Sequence, residues 1–367
     1  MEGWLLRMLK AAHSFGRELD WTFYTTLSRP GRFDDEARGL GATVINTPFE
    51  LGARLKFFQH LRQTLRSGDY DVLHCHHDIV SAVYLLASAG LPIPRKIVHT
   101  HNGDLHVPTD SKLKAAMLRE PLRRLCLRLA DRIVGISHYT LETFLRGAAP
   151  RAPRDLVLYY GIDTSPYHEP PPTSAPLLGS LGLPLDARIL LFVSRLVSYK
   201  NPLYVVDIIA ELASAQPAVC AIFVGAGPLA EEIQTHAQSR GVENRVRVLG
   251  WRDDTVAIMQ LSDLLVFPRT ETDEPDAGRE GLGLVVVEAQ AAALPALLSY
   301  GIPGDAIVIS DLCDVLPLKA GAKEWALRAL EILARPRKDV SIALRLIEES
   351  RFSLHAGFQA LMQLHQS

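Results

Sequence analysis

The chain has 367 residues, of which 48% are hydrophobic and 22% charged, and its formal net charge is -2. This length exceeds one ordinary hydrophobic core and predicts two domains. The nearly balanced charge argues against a general attraction to nucleic acid. No apolar run reaches the ~18 residues of a membrane-spanning helix. Four widely separated cysteines without metal-ligand spacing indicate reduced thiols and a cytoplasmic protein.

The first half of the chain alternates apolar strand-like runs with helical patterns, which predicts an α/β fold with parallel sheets. Its predicted strands are Trp21–Thr26, Ala42–Ile45, Val72–Cys75, Lys96–Thr100, Arg132–Ile136 and Val157–Tyr160. Its predicted helices include Leu51–Leu65 and Ser111–Leu129. The segment Glu169–Ser174 contains three consecutive prolines, which exclude an element interior and favour a crossing between two halves.

The second half repeats the alternation of strands and helices. Its predicted strands are Arg188–Ser194, Ala218–Val224, Arg245–Leu249, Leu264–Pro268, Ala296–Ser299 and Ala306–Ile309. Its predicted helices are Leu203–Ala213, Leu229–Ser239, Leu284–Ala293, Ala322–Ala334 and Arg351–His365. The sequence therefore predicts a second α/β domain after the proline-rich crossing.

Two carboxylates, Glu280 and Glu288, bracket a run that contains Gly281 and Gly283. Glycines allow a loop to approach a ligand closely, and the apolar residues that follow are typical of a buried helix. Eight positions on a helix are a little over two turns, so both carboxylates can face one cleft. Carboxylates accept hydrogen bonds from the hydroxyls of a sugar or a ribose. The alternative is a capped helix with Glu280 near its positive end.

Two cations, Arg195 and Lys200, follow the predicted strand Arg188–Ser194. In open α/β sheets, ligands bind beyond the carboxyl ends of strands. An arginine fork and a lysine point charge suit a diphosphate. The alternative is that both are ordinary loop residues whose charges face solvent.

The segment Gly225–Ala230 follows a strand and opens a helix, as a dinucleotide fingerprint does. That fingerprint requires an acidic residue at the end of the next strand, whereas no acid occurs there before Asp253. The pattern therefore favours a turn that faces phosphate or ribose over nicotinamide binding, with an oxidoreductase as the alternative.

Histidines cluster near two strand ends in the first half, at His74, His76, His77, His99 and His101. A zinc site needs several ligands in a closed geometry, and neither metalloprotease spacing nor a paired cysteine accompanies these residues. We interpret them as residues of the core or of a cleft wall. His101 is singled out because it directly follows the strand Lys96–Thr100. Ser137 is interpreted as the cap of the following helix.

Together, these segments resemble the retaining glycosyltransferases of family 4, the large GT-B group that uses nucleotide sugars, and in particular bacterial exopolysaccharide and capsule transferases. The resemblance rests on Ala130–Ser137, Tyr160–Asp163, Arg195–Asn201, Val224–Pro228, Gly250 and Glu280–Ala291. It implies two Rossmann-like domains that face a cleft, with the last helix crossing back to the first domain. The implied acceptor-side domain is 1–165 plus 351–367, and the implied nucleotide-sugar domain is 166–350.

The resemblance also implies roles for individual residues. The implied catalytic residues are Arg195 and Lys200 at the donor diphosphate, Glu280 at the donor sugar, and His101 near the C6 side of the sugar or the acceptor. The implied donor-binding residues are Gly225 and Gly227 at the nucleotide, Trp251 at the base, Gly281, Leu282 and Gly283 beside the sugar, and Glu288 at the ribose. We expect no cofactor and no metal, since cations and a helix N-terminus would stabilise the departing diphosphate.

The function implied is transfer of a hexose-type sugar from a nucleotide sugar, with UDP expected, to a glycan or lipid-linked acceptor in surface polysaccharide or glycolipid biosynthesis. No nucleic-acid partner is expected. A basic stripe in the helix Ser111–Leu129 indicates peripheral contact with the inner leaflet of the plasma membrane, although a solvated helix face is the alternative. Its residues are Lys112, Lys114, Arg119, Arg123, Arg124 and Arg128.

The sequence departs from the family at its start, because Met1–Lys10 already reads as the family's first helix. We therefore expect the first strand and glycine-rich turn to be missing and a gap in the first sheet. Ser194 and Leu294 stand where the family usually has glycine. The alternatives are an inactive truncated remnant that binds nucleotide sugar, a nucleotide-sugar epimerase, and the nicotinamide oxidoreductase noted above.

Overall fold

The computed structural model describes residues 2–17, 19–49, 52–103, 105, 111–148, 155–170, 173–213, 216, 218–270 and 280–366. The strands are β1 Thr22–Thr25, β2 Thr43–Asn46, β3 Val72–Cys75, β4 Arg95–Thr100, β5 Arg132–Gly135, β6 Leu156–Val157, β7 Arg188–Val193, β8 Val219–Val224, β9 Val246–Gly250, β10 Leu264–Phe267, β11 Ala296–Leu298 and β12 Cys313–Val315. The helices are α1 Glu2–Ser14, α2 Asp34–Gly39, α3 Arg54–Ser67, α4 Ser81–Ala87, α5 Lys112–Leu129, α6 His138–Leu145, α7 Ser174–Ser180, α8 Pro202–Leu212, α9 Ala230–Ser239, α10 Thr255–Leu261, α11 Leu284–Ala291, α12 Ala322–Leu333, α13 Val340–Glu348 and α14 Leu354–Gln366. Within these ranges, no helix combines the length and hydropathy that crossing a bilayer requires.

The chain divides into two compact units. Unit 1 comprises Met1–Asp163 and Leu354–Ser367, and unit 2 comprises Thr164–Ser353. The sequence placed these boundaries at 165/166 and 350/351, whereas Pro171 and Pro172 of the predicted crossing lie outside the described residues. Helix α14 packs against α1, with the Phe15 and Phe358 rings 5.2 Å apart. The last helix therefore belongs to the first unit.

Unit 1 contains two parallel sheets among its described strands. One pairs β1 with β2, and the other has the order β3-β4-β5-β6. The core beside the larger sheet includes buried residues of α3, α4 and α6, such as Phe57, Leu85 and Phe144. The described strands of unit 1 thus form two sheets rather than one.

Unit 2 contains one six-stranded parallel sheet of order β12-β11-β10-β7-β8-β9. All six residues of β8 are buried, as expected for a central strand covered on both faces. The chain proceeds from β7 through β8 to β9 and then continues on the other side of β7 with β10. The strand order therefore reverses between β7 and β10, and such switch points are where open α/β sheets bind ligands.

The predicted strand Ala306–Ile309 is wrong. Its backbone is engaged by the side chain of Gln290, which donates to Ala306 O at 2.8 Å and accepts from Val308 N and Ile309 N at 2.8 and 2.7 Å. Because these backbone groups are taken, the segment does not pair with the sheet. The edge strand β12 forms seven residues later than the predicted start. Helices α10 and α13 were also not predicted, although Asp339 caps α13 with its side chain.

The predicted basic stripe on α5 is wrong at Arg123. This side chain is buried and donates to the carbonyl groups of Phe144 and Leu145 at 3.0 and 2.9 Å. It therefore binds the C-terminal end of α6 instead of facing solvent. Hydrogen bonds from Arg123 and Arg124 lower the pKa of Glu120 to about 2. Arg124 is exposed, whereas the side chain of Lys112 lies outside the described set.

Candidate active site

The candidate site lies at the carboxyl ends of β7 and β10, where the strand order of unit 2 reverses. Arg195 follows β7, and a short 3-10 turn at Ser198–Lys200 places Lys200 close behind it. Arg269 follows β10, two residues beyond its end. Thr270 N donates to Tyr199 O at 3.0 Å and so ties the two segments together. The fold therefore brings three cations from two segments to one edge of the sheet.

The buried cations surround the carboxylate of Glu280. Lys200 Nζ forms an ion pair and hydrogen bond with Glu280 Oε2, and Arg269 Nε lies 3.2 Å from the same oxygen. Lys200 and Arg269 are only 7% and 4% exposed. Burial lowers the pKa of Lys200, and Glu280 offsets part of this effect by favouring the charged form. With three cations and one carboxylate, the cluster has an excess of positive charge and suits an anionic ligand.

The ring of Tyr199 packs among the cations. It lies 5.7 Å from Arg195 Cζ, 5.6 Å from Lys200 Nζ and 5.2 Å from Arg269 Cζ. Its hydroxyl accepts a hydrogen bond from Arg195. Such cation–π contacts contribute about 0.5–2 kcal/mol each and hold like charges near one another. The sequence analysis missed Tyr199 and Arg269. Arg269 directly follows the predicted strand Leu264–Pro268, and a cation at the end of a strand could have indicated it.

Gly225 and Gly227 support the turn that carries Arg195. A Cβ atom on Gly225 would lie 2.9 Å from the Ser194 carbonyl carbon and still closer to its oxygen, and Gly225 has φ +135°. A Cβ on Gly227 would lie 2.7 Å from the Leu196 carbonyl carbon. Leu196 N donates to Ala226 O at 3.0 Å. The glycines therefore permit close backbone packing of the two turns, and their contact with a nucleotide stays a prediction.

The segment that carries Glu280 is not helical. Helix α11 begins at Leu284 after Gly283, which adopts φ +81°, and Glu280 N donates to Gly301 O at 3.0 Å. Glu280 and Glu288 therefore do not share a helix, contrary to the prediction, because only Glu288 belongs to α11. The backbone of Gly281, Leu282 and Gly283 leads directly into the N-terminus of this helix, and the N-terminus of a helix favours anions.

Trp251 follows β9 and is 52% exposed. Gly250, just before it, accepts a hydrogen bond from Gly225 N at 2.7 Å and adopts φ +68°. Trp251 is thus connected through the backbone to the glycine turn. Its contact with a base, like the ribose contact of Glu288, stays a prediction.

His101 lies in unit 1, just after β4, within a group of hydrogen-bonded rings. Its Nε2 lies 3.1 Å from His76 Nδ1, and its Nδ1 bonds with the Tyr160 hydroxyl. Its backbone N–H donates to Asp78 Oδ1 at 2.7 Å. Burial and neighbouring His76 lower the pKa of His101 well below its usual value, so the ring is neutral near pH 7. Ser137 caps α6 by accepting from Thr140 N, as predicted.

Both units match families of sugar-transferring enzymes. Residues 5–161 match the glycosyl transferase 4-like domain, and residues 177–342 match the glycosyl transferases group 1. The chain belongs to the GT4-type glycosyltransferases. The cation cluster and the glycine turn lie within the part matched by the group 1 family.

Relatives of this glycosyltransferase include EpsF of Bacillus subtilis (strain 168), which is 24% identical over 312 residues, covering 84% of this chain and 78% of EpsF. The UDP-Gal:alpha-D-GlcNAc-diphosphoundecaprenol alpha-1,3-galactosyltransferase of Escherichia coli is 24% identical over 286 residues, covering 72% of this chain and 67% of that enzyme. The crystal structure of Anabaena Alr3699/HepE with UDP and glucose has a TM-score of 0.77 at 21% identity, covering 100% of this chain and 95% of that one. This likeness establishes the GT-B fold.

Proposed function

We propose that this glycosyltransferase transfers a hexose-type sugar, with retention of anomeric configuration, from a UDP-sugar to a glycan or lipid-linked acceptor in surface polysaccharide or glycolipid biosynthesis. The observation that carries the proposal is the buried cation cluster of Lys200 and Arg269 around Glu280, with Arg195 beside it. The name of the Escherichia coli relative, which specifies UDP-Gal and a diphosphoundecaprenol acceptor, supports the choice of donor and acceptor.

The proposed chemistry follows from where charge develops. When the bond between the anomeric carbon and the phosphate oxygen breaks, negative charge collects on the diphosphate. Arg195, Lys200 and Arg269 would stabilise this charge, and the burial of Lys200 and Arg269 would strengthen their electrostatic interaction with it. These cations supply the stabilisation that a divalent metal would otherwise give, so we propose no metal at the diphosphate.

Retention follows if the acceptor attacks from the face that the diphosphate leaves. The acceptor oxygen forms the new bond to the anomeric carbon, and the hydroxyl proton passes to an oxygen of the departing UDP. No covalent intermediate with the protein is required. In this scheme Glu280 accepts hydrogen bonds from the donor sugar and holds Lys200 charged before donor binds.

The remaining donor contacts are assigned by chemistry. The N–H groups around Gly281–Gly283 suit the negative charge on the phosphates. The carboxylate of Glu288 suits the ribose hydroxyls, and the exposed ring of Trp251 offers a surface on which the uracil base can stack.

Calorimetric titration with UDP and then UDP-sugars tests the donor site. We expect micromolar binding by the wild-type protein that is lost in Arg195→Ala and Glu288→Ala. Arg188→Ala is the matched control, because Arg188 opens the same strand β7 at its opposite end and pairs there with Asp263. Equal losses in all three variants, or no loss in the first two, would contradict the assignment.

A second candidate is nucleotide-sugar binding without transfer. The observation that favours it is the division of the described strands of unit 1 into two sheets. UDP-sugar binding without product for any lipid-linked or glycan acceptor would support this candidate. Interconversion of the donor without acceptor would instead indicate an epimerase.

We also propose peripheral contact with an anionic membrane through the first turns of α5. Leu113 and Met117 are 69% and 67% exposed and lie four residues apart on one face. Lys114, Arg124 and Arg128 are exposed on the same helix. Apolar side chains beside basic ones are the pattern by which a helix lies at a lipid surface.

A further inference from the structure

Unit 1 contains a cluster of imidazoles that the proposed transfer reaction does not use. His74 and His76 come from the end of β3, and His99 and His101 come from the end of the adjacent strand β4. Residues two apart on a strand point to the same side, so the pairing of β3 with β4 brings the four rings together. His365 of α14 joins them, with its ring 5.2 Å from that of His74.

Three of these rings lie close together. Potential ligand nitrogens of His74, His76 and His99 all lie within 4.8 Å of one another. The His74 and His99 rings stack with centroids 5.3 Å apart and an interplanar angle of 13°. Zinc–nitrogen bonds of about 2.0–2.1 Å in a tetrahedral site place ligand nitrogens ~3.3–3.4 Å apart. Side-chain movements of roughly 1 Å, together with rotation of the stacked rings, would therefore bring these nitrogens to the spacing of a zinc site.

Two of these rings, those of His99 and His74, have nitrogens with hydrogen-bonding capacity to spare. His99 is completely buried, and neither of its ring nitrogens has a hydrogen-bond partner among the described residues. His74 Nε2 is likewise buried and, within the same residues, unpaired. A buried polar atom without a partner is costly, and such atoms in a native structure point to an ion or a water that completes them.

The opposite nitrogens are already engaged. His74 Nδ1 lies 3.0 Å from His365 Nε2, and His76 Nδ1 lies 3.1 Å from His101 Nε2. A proton on His74 Nδ1 leaves the lone pair of its Nε2, which has no partner among the described residues, available to a ligand. Metal-binding histidines commonly donate their other N–H to a neighbouring acceptor in this way, which sets the tautomer and the ring orientation.

We propose that His74, His76 and His99 form a transition-metal site, that Zn²⁺ is the ion that suits it, and that water fills the fourth position. Imidazole nitrogens suit zinc and its neighbours in the first transition series rather than Mg²⁺ or Ca²⁺. The ion would join β3 to β4 and would fix His76, which in turn orients His101. It is separate from the metal-free chemistry proposed for the donor diphosphate in unit 2.

Metal titration of tag-free, EDTA-dialysed full-length protein tests the site. We expect one equivalent of Co²⁺ to give the intense visible absorption of a tetrahedral complex, and Zn²⁺ to displace it. His365→Gln removes an outer partner and is expected to weaken binding about 10–100-fold, and His74→Gln and His99→Gln should weaken it further. His13→Gln, on the exposed face of α1, is the matched control and should bind as wild type.

Every outcome of the metal titration either supports the histidine metal site or overturns it. If the wild-type protein binds neither Co²⁺ nor Zn²⁺ at micromolar concentration, the rings form a hydrogen-bonded cluster only and the proposal is overturned. Undiminished binding in His74→Gln and His99→Gln would also overturn it, because the ion would then sit elsewhere. Circular dichroism identifies any variant that fails to fold, and the wild-type stoichiometry together with His365→Gln then decides the result.

Discussion

Replacing Gly225 with alanine tests whether the turn after β8 positions Arg195. The added Cβ would lie 2.9 Å from the Ser194 carbonyl carbon and closer still to its oxygen, whereas non-bonded carbons lie about 3.5–4.0 Å apart. The neighbouring turn must therefore move by roughly 1 Å. Gly225 also has φ +135°, a region in which a side chain costs about 1–3 kcal/mol.

The displacement acts directly on Arg195, the residue that is predicted to bind the diphosphate. Arg195 follows Ser194 in the chain, so a shift of the Ser194 carbonyl moves the guanidinium with it. A misplacement of ~1 Å can lower a rate about 10²-fold. We expect Gly225→Ala to lower both UDP affinity and kcat/KM, the latter by about two orders of magnitude. Calorimetry would measure the first and sugar transfer under single-turnover conditions the second.

Gly241→Ala is the matched control. Gly241 also has a positive φ, +68°, but a Cβ there would meet nothing within 4 Å, so it adds backbone strain without displacing a neighbour. We expect it to lower thermal stability slightly and to leave UDP binding unchanged. If Gly225→Ala retained wild-type UDP affinity and turnover, the turn would not position Arg195 for the diphosphate, and the reasoning would be refuted.

Three further changes test other parts of the structure. Lys200→Met removes a buried cation and should lower kcat about 10²–10³-fold; a loss below threefold in steady-state assays would contradict its role. Arg123→Ala leaves the α6 carbonyls unpaired and should lower the free energy of unfolding by about 2–3 kcal/mol in urea titration, whereas exposed Arg128→Ala should change it by less than about 0.5 kcal/mol. Flotation with anionic vesicles at low salt should recover the wild-type protein, and Leu113→Asp should reduce this recovery; absence of wild-type binding would exclude the membrane contact.

The sequence predicts the strands of both units well, because buried parallel strands are short, continuous apolar runs. It fails at Ala306–Ile309, where the run is equally apolar but the Gln290 side chain takes its backbone hydrogen bonds. That interaction joins residues sixteen or more positions apart and depends on tertiary packing. The periodicity of the sequence therefore does not reveal this interaction.

The candidate site was predicted only in part, because some of its residues come together only through tertiary packing. Arg195 and Lys200 are visible because they follow one strand directly. Arg269 was missed because it enters the site only when β10 pairs with β7, and strand order cannot be read from local patterns. Glu280 was singled out for its glycine-rich surroundings, and the structure places it against Lys200 and Arg269, but without the helical geometry that was expected. Residue chemistry was thus easier to predict than which residues meet.

Helix α14 makes the first unit dependent on residues that are synthesised after unit 2. Unit 2 is one continuous stretch, Thr164–Ser353, whereas unit 1 needs residues from both ends of the chain. Arg95, which opens β4, donates to the backbone oxygens of His365 and Gln366 at 2.7 and 2.6 Å. During synthesis, unit 2 can therefore complete its contacts first, whereas unit 1 cannot complete its own contacts until α14 has been made.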